Sequence, residues 1–157
     1  MAKLILDSVP EHQGSSYPAP FDRAVAARLR QRLGDAGGLT QFGVNLLRLR
    51  PGAWSSQRHW HSGEDEFVYV LSGELTLVTD RGEETLRAGD CAAFPANVQD
   101  GHHLVNHGTT TAVCLEVGTR ADEDRVGYPD IDLVYDPALG GYARRDGTAY
   151  PKKKPSS

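Results

Sequence analysis

From about Gln41 onward the chain consists of short apolar or alternating runs, broken by turn signals at close, regular spacing. The runs cover residues 42–49, 66–71, 74–78, 84–86, 91–94, 103–105 and 111–117. Between them stand Pro51-Gly52, Ser72-Gly73, Asp80-Arg81-Gly82, Ala88-Gly89-Asp90 and Asn106-His107-Gly108. Many short strands at this spacing, with no helical period among them, predict an all-β antiparallel sandwich or barrel. They exclude architectures that alternate strands with helices. Upstream, Val25, Leu29 and Leu33 recur at i, i+4, i+8 and predict one short helix over residues 23–33. Asp22 is placed to cap its N-terminus and Gly37-Gly38 to end it. Arg23, Arg28, Arg30 and Arg32 then form a solvated basic face on that helix. The expected division is an N-terminal arm and short helix over 1–40, a barrel over 41–118 and a C-terminal arm over 119–157. Within the last, 131–135 and 141–145 read as strands or extended arms packed on the barrel or on a partner subunit. The lysine-rich end, 152–157, reads as a disordered tail.

Chemistry enters through two stretches of this pattern. The first is Arg58-His59-Trp60-His61-Ser62-Gly63-Glu64-Asp65-Glu66, and the second is Asp100-Gly101-His102-His103-Leu104-Val105-Asn106. On a strand, residues at i and i+2 point to one face, so His59 and His61 reach a common point. A carboxylate follows after an acidic turn, and the second stretch adds another imidazole. Imidazoles with one carboxylate are the donor set that borderline first-row metals take from proteins. Glu66 opens an alternating strand with Val68 and Val70 on its own face and Phe67, Tyr69 and Leu71 on the other. Glu64 and Asp65 read as turn residues. The same parity puts Gln57 beside His59 and His61 at the pocket mouth, as a substrate contact, with Arg58 and Trp60 opposite. A catalytic acid or base is sought among Gln57, Tyr69 and Glu116, of which Gln57 alone has supporting parity. His12 and His107 fall outside the pattern.

Composition narrows the picture without redirecting it. The 157 residues are most simply one domain, and a formal charge of -4 leaves no general basic footprint for nucleic acid. No apolar run approaches the roughly 20 residues of a membrane span. Near the start, Leu4-Ile5-Leu6 is the one apolar patch and falls far short of a signal-peptide core, so a cytoplasmic protein is expected. Cys91 and Cys114 are the only cysteines, and both sit in apolar surroundings, which predicts two buried reduced thiols.

Across roughly residues 52–106, with an extension to Gly118, the chain resembles the cupin superfamily, in particular a group of small bacterial single-domain cupins. Gly52, His59, His61, Glu66 and Gly73 match the first cupin motif, and Gly89, Pro95, His102 and Asn106 the second. One extra residue separates Gly52 from His59. Asn97 replaces a common Gly, and Asn is the residue next best able to adopt a left-handed backbone. The interval from Pro95 to the histidines is also long. It leaves His102 and His103 as alternatives, with His102 favoured because Asn106 follows at the expected four residues. The resemblance implies a jelly-roll barrel (a double-stranded β-helix) and metal ligands at His59, His61, Glu66 and His102. One divalent metal per chain is implied, with iron, manganese, nickel, zinc and copper all compatible. It further implies a homodimer that binds a small molecule, not nucleic acid or membrane. The expected function is a metal-dependent enzyme on a small oxygen-rich molecule, of dioxygenase or isomerase/lyase type. The alternative is a metal and small-ligand binding or sensing module without turnover.

Overall fold

The structure is a computed structural model that describes residues 3–151, so the tail expected at 152–157 lies outside the described residues. Thirteen strands follow in chain order. They are β1 (Glu11–Gln13), β2 (Arg28–Arg32), β3 (Phe42–Leu49), β4 (Trp60–His61), β5 (Glu66–Ser72), β6 (Glu74–Thr79) and β7 (Gly82–Arg87). After them come β8 (Cys91–Phe94), β9 (His103–Val105), β10 (Ala112–Thr119), β11 (Val126–Gly127), β12 (Val134–Asp136) and β13 (Gly141–Ala143). Every pairing between them is antiparallel. A six-stranded sheet, β1-β2-β3-β10-β5-β8, faces a three-stranded sheet, β7-β6-β9, across the main core. A four-stranded sheet, β13-β12-β11-β4, joins the C-terminal segment to the strand that carries His61. Among the described residues no helix is long and apolar enough to cross a membrane.

The alternation predicted for β5 is the alternation observed. Val68 and Val70 are buried with Leu47, Leu49, Leu75 and Cys114, whereas Phe67, Tyr69 and Leu71 are exposed on the outer face. Each fully buried leucine stabilises the barrel by roughly 1.5–3 kcal/mol relative to an exposed one. The β5–β6 turn needs Gly73: its φ is +79°, and a Cβ there would stand 2.9 Å from the Ala112 Cα. Asn97 adopts a φ of 62°, the left-handed backbone expected of it. Asn106 is wholly buried and closes the second motif. Its Nδ2 donates to the carbonyls of Leu49 (2.7 Å) and Thr110 (2.8 Å), and its Oδ1 accepts from the Gly108 N–H at 2.9 Å.

Two expectations are corrected. Residues 23–33 do not form a helix: they run through turns into β2, and only Leu33–Ala36 makes a single helical turn, α1. The open edge of β3 supplies the reason, pairing Arg28 with Leu49 through to Arg32 with Asn45, and a full ladder outweighs a weak helical preference. The solvated basic face is lost with the helix. Arg28 is 6% exposed, and Arg30 points to the same inward side, two residues on. Cys91 is the second correction: it is exposed, opposite Tyr69 on the outer face of β8, while Cys114 is buried and both thiols are free.

A second cluster holds the terminal segments against the barrel. Tyr17 and Val25 from the N-terminal region pack with Val126, Tyr128 and Leu133. Arg58, on the opposite side from the histidines, clamps the C-terminal segment through a two-point contact with Asp130 (2.7 and 2.6 Å) and also touches Asp80. Loss of the Asn106 side chain strands the buried Leu49 carbonyl, the Thr110 carbonyl and the Gly108 N–H. Asn106→Ala is therefore expected to destabilise the chain by about 3 kcal/mol, read from the urea-unfolding midpoint at unchanged slope.

Candidate metal centre

Backbone pairing brings the two sequence motifs together before any side chain is considered. His59 and His102 form an antiparallel bridge, with His59 N donating to the His102 carbonyl (3.1 Å) and the reverse bond at 2.8 Å. β4 then carries His61, and β5 starts at Glu66 on the adjoining side. The result is a convergence on one oxygen. Glu66 Oε2 lies 3.4 Å from His59 Nε2, 3.4 Å from His61 Nε2 and 2.9 Å from His102 Nε2. Donor atoms of His59, His61 and Glu66 all fall within 4.8 Å of one another.

The ring tautomers are set from behind. A carbonyl only accepts, so His59 Nδ1, 2.9 Å from the Gln57 carbonyl, carries its proton. His61 Nδ1 lies 2.6 Å from Asp124 Oδ2 and donates likewise. In the neutral rings this leaves both Nε2 lone pairs facing Glu66, the protonation state a metal requires. His102 is stacked flat on Phe94, with ring centroids 3.6 Å apart. Two donors about 2.1 Å from an ion and at right angles are about 3 Å apart, close to the spacings here. His59, His61 and Glu66, with the rear nitrogens of both rings satisfied, fit a divalent ion, and His102 stands beside Glu66 outside that three-residue group.

Electrostatics agree with the crowding. Burial opposes charge on His59, but the Glu66 hydrogen bond and charge outweigh it and raise its pKa. Burial lowers that of His102. Glu66 resists its own burial because His102 and His59 bond to it, and its carboxyl is held well below the usual range. His103 behaves otherwise. It turns its ring edge to Trp54, at a centroid distance of 4.6 Å, and its Nδ1 to the Ser56 carbonyl at 3.1 Å. His12 and His107 are both exposed, away from the cluster.

The cluster opens into a cavity of about 400 Å3. Gln57 does not reach it: residues 55–58 are bends outside β4, and the Gln57 amide donates to the Phe21 carbonyl at 2.7 Å. Tyr69 points outward. Glu116 does face the cavity, two residues beyond the buried Cys114 on β10, and its Oε2 is 2.9 Å from Arg30 Nη2. The sequence reading gave Glu116 no supporting parity; the burial of Cys114 was the signal that assigns it. Asp124, Arg28, Tyr17 and Tyr128 were also missed. Asp124 is 6% exposed and receives the Gly63 N–H (2.8 Å) as well as His61, across a separation of 63 residues. Glu64, expected only as a turn residue, accepts from Ala121 N at 2.9 Å, and burial raises its pKa.

Comparison with known proteins agrees with the fold. Residues 45–118 match the sequence model of the family described as Cupin domain. A solved sugar phosphate isomerase of the cupin superfamily from Silicibacter pomeroyi is 48% identical, covering 96% of this chain and 97% of that one, with a TM-score of 0.88. Among curated proteins, the tetracenomycin polyketide synthase protein TcmJ of Streptomyces glaucescens is 30% identical over 102 residues, which cover 64% of this chain and 66% of that protein. The polyketide cyclase RemF of Streptomyces resistomycificus shares the fold at a TM-score of 0.60 and 20% identity, over 76% of this chain and 79% of that one. The hydrogen bond behind His61 yields a direct prediction. Asp124→Asn is expected to weaken divalent-metal affinity by roughly 10–100-fold, measured by chelator competition, with the fold intact by circular dichroism.

Proposed function

The chain belongs to the cupin superfamily, and on that footing we propose that it is a metal-dependent isomerase acting on a sugar phosphate. His59, His61, Glu66 and His102 are the proposed metal ligands. A divalent ion held there would supply Lewis-acid polarisation of a carbonyl or hydroxyl oxygen. The observation that carries the reading is Glu116, an inward carboxylate in the same cavity, in a chain 48% identical over 96% of its length to a protein described as a sugar phosphate isomerase.

Interconversion of an aldehyde and a ketone on adjacent carbons requires one group to move a proton between those carbons. Arg30 Nη2 holds Glu116 Oε2, which leaves Oε1 free for the transfer. The proton leaves the carbon beside the carbonyl and returns to the former carbonyl carbon, while a hydroxyl proton passes to the carbonyl oxygen. Tyr128 stacks along His59 at a centroid distance of 6.0 Å, and burial pushes its phenol pKa up. It stays a neutral hydroxyl in the cavity wall.

This division of labour differs from a dioxygenase, in which the protein need carry no proton between carbons, and from a sensing module, which needs no such base. Glu116→Gln is expected to lower isomerisation by about 10²–10⁴-fold, with metal per chain unchanged. The readout is solvent-deuterium incorporation at the exchanging carbon, followed by NMR over a panel of aldose and ketose phosphates. Undiminished exchange in the variant would remove Glu116 from the mechanism, and absence of exchange in the native chain would remove the isomerase reading.

A further inference from the structure

Strand β2 presents Arg28 and Arg30 to the cavity, and the partners of these two guanidinium groups are unusual. Arg28 is 6% exposed, yet it bonds only to backbone carbonyls: Nε and Nη2 donate to Gly14 at 3.2 and 2.8 Å, and Nη1 donates to Ser55. A guanidinium has five N–H donors, so three bonds leave two N–H groups without a partner. Among the described residues no carboxylate lies within ion-pair distance of it. Arg30 spends Nη2 on Glu116, but its Nε is buried and bonded to nothing. Buried cations are ordinarily paired, since desolvation costs several kcal/mol per ion. Here the pairing is incomplete, and both side chains line the cavity.

The surrounding groups extend the same character. Tyr17 and Tyr142 line the cavity next to Arg28, and burial raises both phenol pKa values, so both hydroxyls stay protonated. Tyr142 Oη also lies 3.4 Å from Ser16 Oγ. Two cations and several neutral hydroxyls match the oxygens of a phosphate group, which accepts several hydrogen bonds and carries the opposite charge. Four of the five acidic groups of the cavity are engaged elsewhere: Glu66 with the histidines, Asp124 with His61, Glu116 with Arg30 and Glu64 with the Ala121 N–H, while Asp122 is exposed. Burial, with the neighbouring Arg30 charge, lowers the Arg28 pKa to about 10, which still leaves it cationic at neutral pH.

We infer that the inward face of β2 is a phosphate subsite, in which Arg28 and the Nε edge of Arg30, with the hydroxyls of Tyr17 and Tyr142, hold the phosphate of the substrate while its sugar end reaches the metal centre. This inference rests on the reading of the cavity as the site of a sugar phosphate, and it assigns the residues that select for the charged end. It explains why β2 carries arginines on a buried face.

Inorganic phosphate is the probe, titrated calorimetrically into the 157-residue chain as purified. Arg30→Gln is expected to weaken phosphate binding by about tenfold or more, the loss of a charge-assisted contact, with metal per chain unchanged. Glu116→Gln, which frees the rest of Arg30, is expected to bind phosphate at least as tightly as the native chain. Arg28→Gln should weaken it further if circular dichroism shows a folded chain; otherwise the Arg30 and Glu116 variants decide. Equal affinity in the native and Arg30→Gln chains, as phosphate held by the metal would give, overturns the subsite, and so does a native chain that binds no phosphate. Arginine-dependent phosphate binding without carbon-bound proton exchange would leave the subsite standing and sink the isomerase reading. Exchange without arginine-dependent binding would do the reverse.

Discussion

Three imidazoles can crowd around one carboxylate oxygen in a protein interior only if the far side of each ring is settled by something else. In this chain the Gln57 carbonyl takes the Nδ1 proton of His59, the Asp124 carboxylate takes that of His61, and Phe94 lies flat on His102. Without those supports the rings would be free to rotate, and Glu66 would be a buried carboxylate in a low-dielectric pocket. With them, three Nε2 atoms and one Oε2 share a region a few ångströms across. The rest of the fold can be understood as the scaffold that holds this convergence.

That scaffold is larger than the barrel. β11 pairs Val126 with His61 and Gly127 with Trp60, and the Gly127 position is so close to the indole that a Cβ would stand 2.5 Å from it. The segment that carries Asp124 is therefore fixed directly to the strand that carries His61. At the other end, β2 pairs along β3 and closes the cavity with Arg28 and Arg30, while Tyr17 packs against Tyr128 with ring centroids 5.7 Å apart. Both terminal segments thus contribute to the cavity itself. The family match covers residues 45–118, and Arg28, Asp124, Tyr128 and Tyr142 all lie outside it. The features that distinguish this cavity come from the additions to the shared barrel.

The legible parts of the sequence were those governed by local periodicity. A strand repeats every two residues, so 42–49 and 91–94 were read to the residue, and the inward valines and outward aromatics of β5 followed. Asn97 was legible because few side chains tolerate a left-handed backbone. What failed was governed by distant partners. Val25, Leu29 and Leu33 mimic a helical stripe, and arginines on an inward strand face contradict ordinary burial, so β2 was invisible until β3 was in place. Asp124 meets His61 across 63 residues and had no local signature. Gln57 was assigned by extending strand parity into a bend where that parity does not hold.

The measurement that bears most directly on the account is metal per chain by plasma mass spectrometry, for protein purified without a metal-chelating column. Two adjacent histidines provide the control, because His102 faces Glu66 and His103 faces Trp54. The account predicts about one divalent ion per native chain, retention in His103→Ala and a sharp loss in His102→Ala. A native chain that holds no ion even after reconstitution, or equal loss from the two variants, would contradict it.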